Sequence, residues 1–115
     1  MTDTPTGLSV NFNDYQRNLG NTCGSGLNFV TTNVANGLAR GAVHTVRIEM
    51  DFYDGIANDI VRVYVNGVLR HVGTSWEDYF RDCESNPTRT VDSLLFRTGG
   101  TAAPGMSGKG FLIDN

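Results

Sequence analysis

A chain of 115 residues, 39% hydrophobic and 18% charged, is apolar enough to fold and long enough for one core, so it reads as a single domain spanning 1–115. Its net charge of −3, with nine basic residues scattered singly, offers no basic stripe for phosphates and argues against nucleic acid as a partner. No apolar run approaches the roughly 18 residues of a membrane helix, and the first five residues lack the basic and apolar regions of a signal peptide, so no membrane partner is expected. An extracellular or cell-surface location remains the expectation, with any leader already removed.

In chain order, short apolar stretches predict strands at 8–12 and 27–31, separated by the glycine-rich loop 20–26 that carries Cys23. The strongest signal follows at 45–52, where Val46, Ile48, Met50 and Phe52 alternate with Thr45, Arg47, Glu49 and Asp51. That period of two predicts a strand with one face in the core and one in water. A loop at 54–59 leads to a second run at 60–65, then Asn66-Gly67, then a third run at 68–72. Asn-Gly between β-branched runs predicts a two-residue hairpin turn, because both turn positions need positive φ. The hairpin register then sets Val65 against Val68, Val63 against Arg70 and Val61 against Val72. Residues 75–81 are the only plausible helical turn, with Ser75 as cap and Asp78 at the capping-box position. Further strands are predicted at 91–97 and 109–113. About seven short strands and no amphipathic helix for a parallel crossover predict an all-β fold, a small antiparallel β-sandwich whose central core holds Val46, Ile48, Met50, Phe52, Val61, Val63 and Val65.

Cys23 and Cys83 are too far apart for a CxxC site. A bridge between them would close a loop of about 60 residues and add roughly 4 kcal/mol in the chain-entropy model, while two separate thiols fit the sequence as well. Zinc is not expected from two cysteines without metal-spaced histidines.

The segments His44 to Phe52, Asn58 to Gly67, Gly73 to Tyr79, Val91 to Arg97 and Gly110 to Asn115 together resemble bacterial concanavalin A-like/laminin-G-like domains, over residues 42–115 or about two-thirds of the chain. The resemblance implies a jelly-roll sandwich, here reduced because typical members are longer and carry more strands. It implies no single function, since such domains serve as sugar binders, adhesion modules and enzymes.

Three sets of residues carry candidate chemistry. Glu49, Asp51 and Asp54 look like the Glu-x-Asp-x-x-Glu motif of laminarinase-type glycosidases, with Glu49 as nucleophile and Asp54 as acid/base. Asp54 has the wrong parity for that role unless a bulge near Tyr53 rotates it, and Asp stands where the motif has Glu. Asp54, Asn58 and Asp59, with Asp51, offer hard oxygen ligands for calcium, which is the one cofactor the sequence admits. Trp76, Tyr79 and Phe80 suggest an aromatic platform for a sugar ring, with Glu77, Asp78 and Arg81 as partners to hydroxyls. His44 and His71, on different predicted strands, suggest no triad or metal site.

These observations point to a non-catalytic binding or interaction module, with carbohydrate as the ligand class. The alternatives are a small glycoside hydrolase or lyase using the Glu49/Asp51/Asp54 face, and a structural or assembly domain without a small ligand. A reduced sandwich leaves strand edges unpaired. Self-association through an edge strand or sheet face is therefore expected, the apolar final strand at 110–113 being the first candidate.

Overall fold

The computed structural model describes residues 1–18 and 20–84, and within them the chain is all-β, with two three-stranded antiparallel sheets, a 3-10 turn at Gly26–Asn28 in place of the start of the strand predicted at 27–31, and one short α-helix. The first sheet holds β1 (Thr2–Thr4), β2 (Gly7–Tyr15) and β3 (Phe29–Leu38) in that order. The second holds β4 (Val46–Asp51), β5 (Ile60–Val65) and β6 (Val68–Gly73), also in chain order. Helix α1 (Glu77–Cys83) follows. The predicted strands at 91–97 and 109–113, and the edge at 110–113 proposed for self-association, lie outside the described residues.

Valines join the two sheets. Val10 of β2 and Val34 of β3 form one buried cluster with Val61, Val63 and Val65 of β5, and Met1, Phe12, Ala35 and Leu38 pack against it. The central strand of the second sheet supplies three of the five because it has neighbours on both edges as well as a sheet across from its inner face.

The alternating run at 46–51 is a strand, but it does not occupy the centre of the core. Val46, Ile48 and Met50 stand opposite Val65, Val63 and Val61 and so share their face, yet Ile48 is 37% exposed where Val63 is 1%. Phe52, beyond the end of β4, is exposed to the same degree as Ile48. The reason is position: β4 lies at the edge of its sheet as described, and alternation reports which face a side chain takes, not how completely that face is covered.

The Asn66-Gly67 turn forms as predicted, with φ of 52° and 78°, both in the left-handed region that a type I′ turn requires. Val65 opposes Val68 and Tyr64 opposes Leu69. Beyond them a bulge shifts the register, so that Val63 faces His71, Arg62 faces Val72 and Val61 faces Gly73. The predicted pairs Val63 with Arg70 and Val61 with Val72 are thus replaced, because one extra residue on β6 exchanges the faces of everything after it. Val72 is turned outward and His71 inward. There His71 Nε2 meets Asp14 Oδ2 at 3.1 Å, joining β6 to β2 across the two sheets. Gly73 completes this junction: a Cβ at that position would stand 2.4 Å from both oxygens of Asp14, whose carboxylate is 1% exposed.

Helix α1 begins two residues after Ser75, with Trp76 at the cap position and no side-chain cap bond. Ser75 still serves the start of the helix, since its Oγ accepts from the Glu77 N–H at 3.0 Å. Asp78 is not engaged in a capping box; it accepts from the Ala57 N–H at 3.0 Å and so ties the helix to the loop between β4 and β5.

Candidate functional site

The chain leaves β6, passes the end of β2 and lays α1 against the first sheet. Thr74 Oγ1 donates to the Tyr15 carbonyl at 2.8 Å, and Trp76 Nε1 donates to the Asn13 carbonyl at 2.9 Å. Those two bonds to the backbone of β2 fix where Trp76 sits. Its ring meets Phe29 edge-on with centroids 5.1 Å apart, and Tyr79 packs against Phe29 at 5.4 Å and Tyr15 at 5.6 Å. Tyr15 is buried beneath this cluster, while Trp76 remains 40% exposed. Edge-to-face rings of this kind are stiff as well as apolar, so Trp76 is an open aromatic surface on a rigid base.

Cys23 and Cys83 are bonded, with Cα atoms 5.4 Å apart, which settles the question the sequence left open. The bridge fastens the end of α1 to the loop after β2, and Arg17 pairs with Asp82 at 3.0 Å beside it.

The chain on either side of Trp76 helps to line a small polar pocket formed by Ala57, Asn58, Asp59, Thr74, Ser75, Glu77 and Asp78. Asp59, Glu77 and Asp78 are all buried. Asp59 accepts from the Tyr53 N–H at 2.9 Å and from the Ser75 hydroxyl, and Arg81 donates to Glu77. Ala57 holds a φ of 55°, which fixes this wall of the pocket in a conformation few side-chain-bearing residues adopt. Asn58 Nδ2 donates to the Asp54 carbonyl at 2.7 Å, while its Oδ1 is buried without a hydrogen bond.

Burial pushes the Glu77 carboxyl above its ordinary value of 4.5, Arg81 opposes that shift, and the neighbouring Asp59 reinforces it. A carboxyl raised in this way favours folding while protonated, and that contribution fades as pH rises through its folded-state value. Glu77→Gln keeps an oxygen for Arg81 and removes the ionisation. Its melting temperature relative to the parent should therefore climb as pH is raised from about 4 to about 7. A difference that stays constant across that range would assign the burial cost to another group.

The residues singled out from sequence divide. Trp76, Tyr79 and Arg81 do come together on one element, but in different roles: Trp76 is open, Arg81 is engaged with Glu77, and the Tyr79 phenol is pushed up by its hydrogen bond to Glu84. Glu49 and Asp51 lie on the outward face of β4, and each is held by an arginine, Glu49 by Arg47 and Asp51 by Arg62 at 2.6 Å. The register of β4 with β5 runs unbroken to Asp51, where the strand ends, so Asp54 belongs to the following loop. Asp54, Asn58 and Asp59 share that loop, with Asp59 turned inward and Asp54 exposed. Among the described residues no three His, Cys, Asp or Glu side chains are grouped as a metal site would require.

Sequence reasoning missed the pairing of Asp14 with His71. Half of it had a signal, because Asp14 falls in phase with Leu8, Val10 and Phe12 on the apolar side of an alternating strand. It also missed that Asp59 converges with Ser75, Glu77 and Asp78, since it comes from a separate segment, the loop before β5. Compared with known protein families, curated proteins and solved structures, the chain matches none.

Proposed function

We propose that this protein is a non-catalytic binding module for carbohydrate, with Trp76 as the surface on which a sugar ring stacks. The observation that supports this most directly is the setting of Trp76: exposed, braced edge-on by Phe29, tied to β2 through its indole nitrogen, and flanked in the chain by Ser75 and Glu77, which line a pocket of hydroxyl and carboxylate oxygens. A sugar presents an apolar ring face and a rim of hydroxyl donors, and this pairing of an aromatic plane with acceptors suits both. The resemblance to concanavalin A-like and laminin-G-like sandwiches accords with the same reading.

The arginine pairing of Glu49 and Asp51 favours binding over glycoside hydrolysis. The candidate nucleophile Glu49 is engaged with Arg47, and the candidate acid/base Asp54 lies in the loop beyond the end of β4 and not on the strand face with it.

Affinity electrophoresis through gels containing soluble polysaccharides tests the proposal. Trp76→Ala should weaken retardation by about tenfold or more, whereas Trp76→Phe, which keeps an aromatic face, should retain a substantial part of it. Equal retardation of the parent and Trp76→Ala would remove Trp76 from the site. A reducing-sugar assay on the same polymers should register no hydrolysis.

A further inference from the structure

We propose that the outward face of the first sheet, running from Trp76 along β2 and β3, takes an uncharged, hydroxyl-rich polysaccharide chain. This inference rests on the reading of Trp76 as the stacking surface and extends it to the class and extent of the ligand.

Asn11 and Asn13 of β2 stand opposite Asn33 and Thr31 of β3, and all four are exposed. Beyond them Ser9 pairs with Thr2 of β1; at the other end Tyr15 pairs with Phe29, where the aromatic cluster begins. From Thr2 to Phe29 the described residues of this face are amides, hydroxyls and rings, with no ionisable group among them other than the buried Tyr15 phenol. Trp76 closes one end of the strip, bonded to the backbone of Asn13 itself.

The four side chains are already held. Thr31 Oγ1 donates to Asn13 Oδ1 at 2.6 Å, and Asn33 Nδ2 donates to Asn11 Oδ1 at 2.9 Å and to Ser9 Oγ at 2.6 Å. Locked rotamers lose little entropy when a ligand arrives. These bonds leave unspent, on exposed residues, the amide donors of Asn13, the carbonyl oxygen of Asn33 and a lone pair on Thr31. A sugar hydroxyl both donates and accepts, so a polyhydroxyl chain can meet this mixture where a donor-only or acceptor-only ligand cannot. Neighbours on one face of a strand are about 7 Å apart and cross-strand pairs about 5 Å. Two such rungs beyond Trp76 span more than one sugar ring.

Charge decides between uncharged and anionic chains. Among the described residues the strip carries no cation to pair with a uronate or sulfate, and Asp59, Glu77 and Asp78 are buried. An anionic chain would give up water for a strip that offers its charge no partner.

Trp76 is the only tryptophan, so its emission reports occupancy of the site directly. The parent protein should be titrated with neutral β-glucan, xyloglucan and mannan, and with alginate and polygalacturonate. At least one neutral polymer should shift the emission, with the anionic polymers about tenfold weaker or worse, and oligosaccharides of three or more units should bind more tightly than the monosaccharide. Asn13→Asp preserves the oxygen that accepts from Thr31, removes the outward donors and adds a charge; it should cost about tenfold in affinity at an unchanged melting temperature, and Asn13→Ala should weaken binding in the same direction. If binding requires Trp76 but ignores both Asn13 variants, or if anionic polymers bind equally well, the strip is not the ligand surface and the carbohydrate reading survives without it. If none of the polymers binds, both fail together.

Discussion

Val63→Asp should yield a chain that does not fold, while Ile48→Asp, directly across the ladder from it, should yield a folded protein of reduced stability. Val63 is 1% exposed in the middle of the five-valine cluster, with Val61 and Val65 beside it on the central strand and the first sheet across from it. A carboxylate there has neither water nor a partner, and leaving it unpaired costs several kcal/mol against a total stability of about 5 to 15. Protonating it instead still leaves a buried polar group without a hydrogen bond. Ile48 shares the ladder position but is 37% exposed, so a carboxylate there can turn to water at a cost of about 1 to 2 kcal/mol. Soluble yield and thermal melting by circular dichroism distinguish the two. Equal melting of both variants would mean that β5 is not the centre of the core.

The contrast between Val63 and Ile48 also marks how far the sequence was legible. Alternation identified β4 and β5, and Asn66-Gly67 identified the turn of the second hairpin, because period and turn chemistry are local properties carried by consecutive residues. Coverage is not local. Whether Ile48 is deeply buried depends on what lies over β4, and nothing within 45–52 encodes that. The bulge in β6 is similar: Val68 to Val72 contains no glycine or other punctuation to announce an extra residue, yet the shift turns His71 inward toward Asp14. Asp14 was the readable member of that pair, and Gly73 becomes intelligible only once the carboxylate is seen against it. The candidate site divides in the same way. Ser75 to Arg81 stood out as an aromatic, acidic helical turn, whereas its partners Asn13, Phe29 and Asp59 arrive from three other segments, and only tertiary structure assembles them.

Reducing the Cys23–Cys83 bond, or replacing Cys83 with Ser, should lower global stability by about 4 kcal/mol and should loosen α1 before the sheets. The bond closes a separation of 60 residues, so it removes a large loop-closure entropy from the unfolded chain. Against a total stability of about 5 to 15 kcal/mol, that is a substantial share. The local effect follows from what else holds the helix. Besides the bond, the described attachments of α1 include the Tyr79 ring, the Arg17–Asp82 pair and the hydrogen bond from Ala57 to Asp78, and surface pairs contribute little. The two sulfurs are not equivalent. Cys23 is exposed and Cys83 partly covered, and the Tyr15 hydroxyl must be the donor to Cys83 Sγ at 3.8 Å, because a bridged sulfur carries no proton. Asn28 Nδ2 in turn donates to the Tyr15 oxygen at 3.3 Å. An attacking thiolate therefore reaches Cys23 and expels Cys83 as a thiolate that already has a hydrogen-bond donor beside it. Urea unfolding with and without a dithiol should show the midpoint falling on reduction. At urea concentrations below that transition, Trp76 emission should already have shifted toward that of a solvated indole while the far-ultraviolet strand signal persists. Unfolding of emission and strand signal in one step, at the oxidised protein's midpoint, would show that α1 is held without help from the bridge.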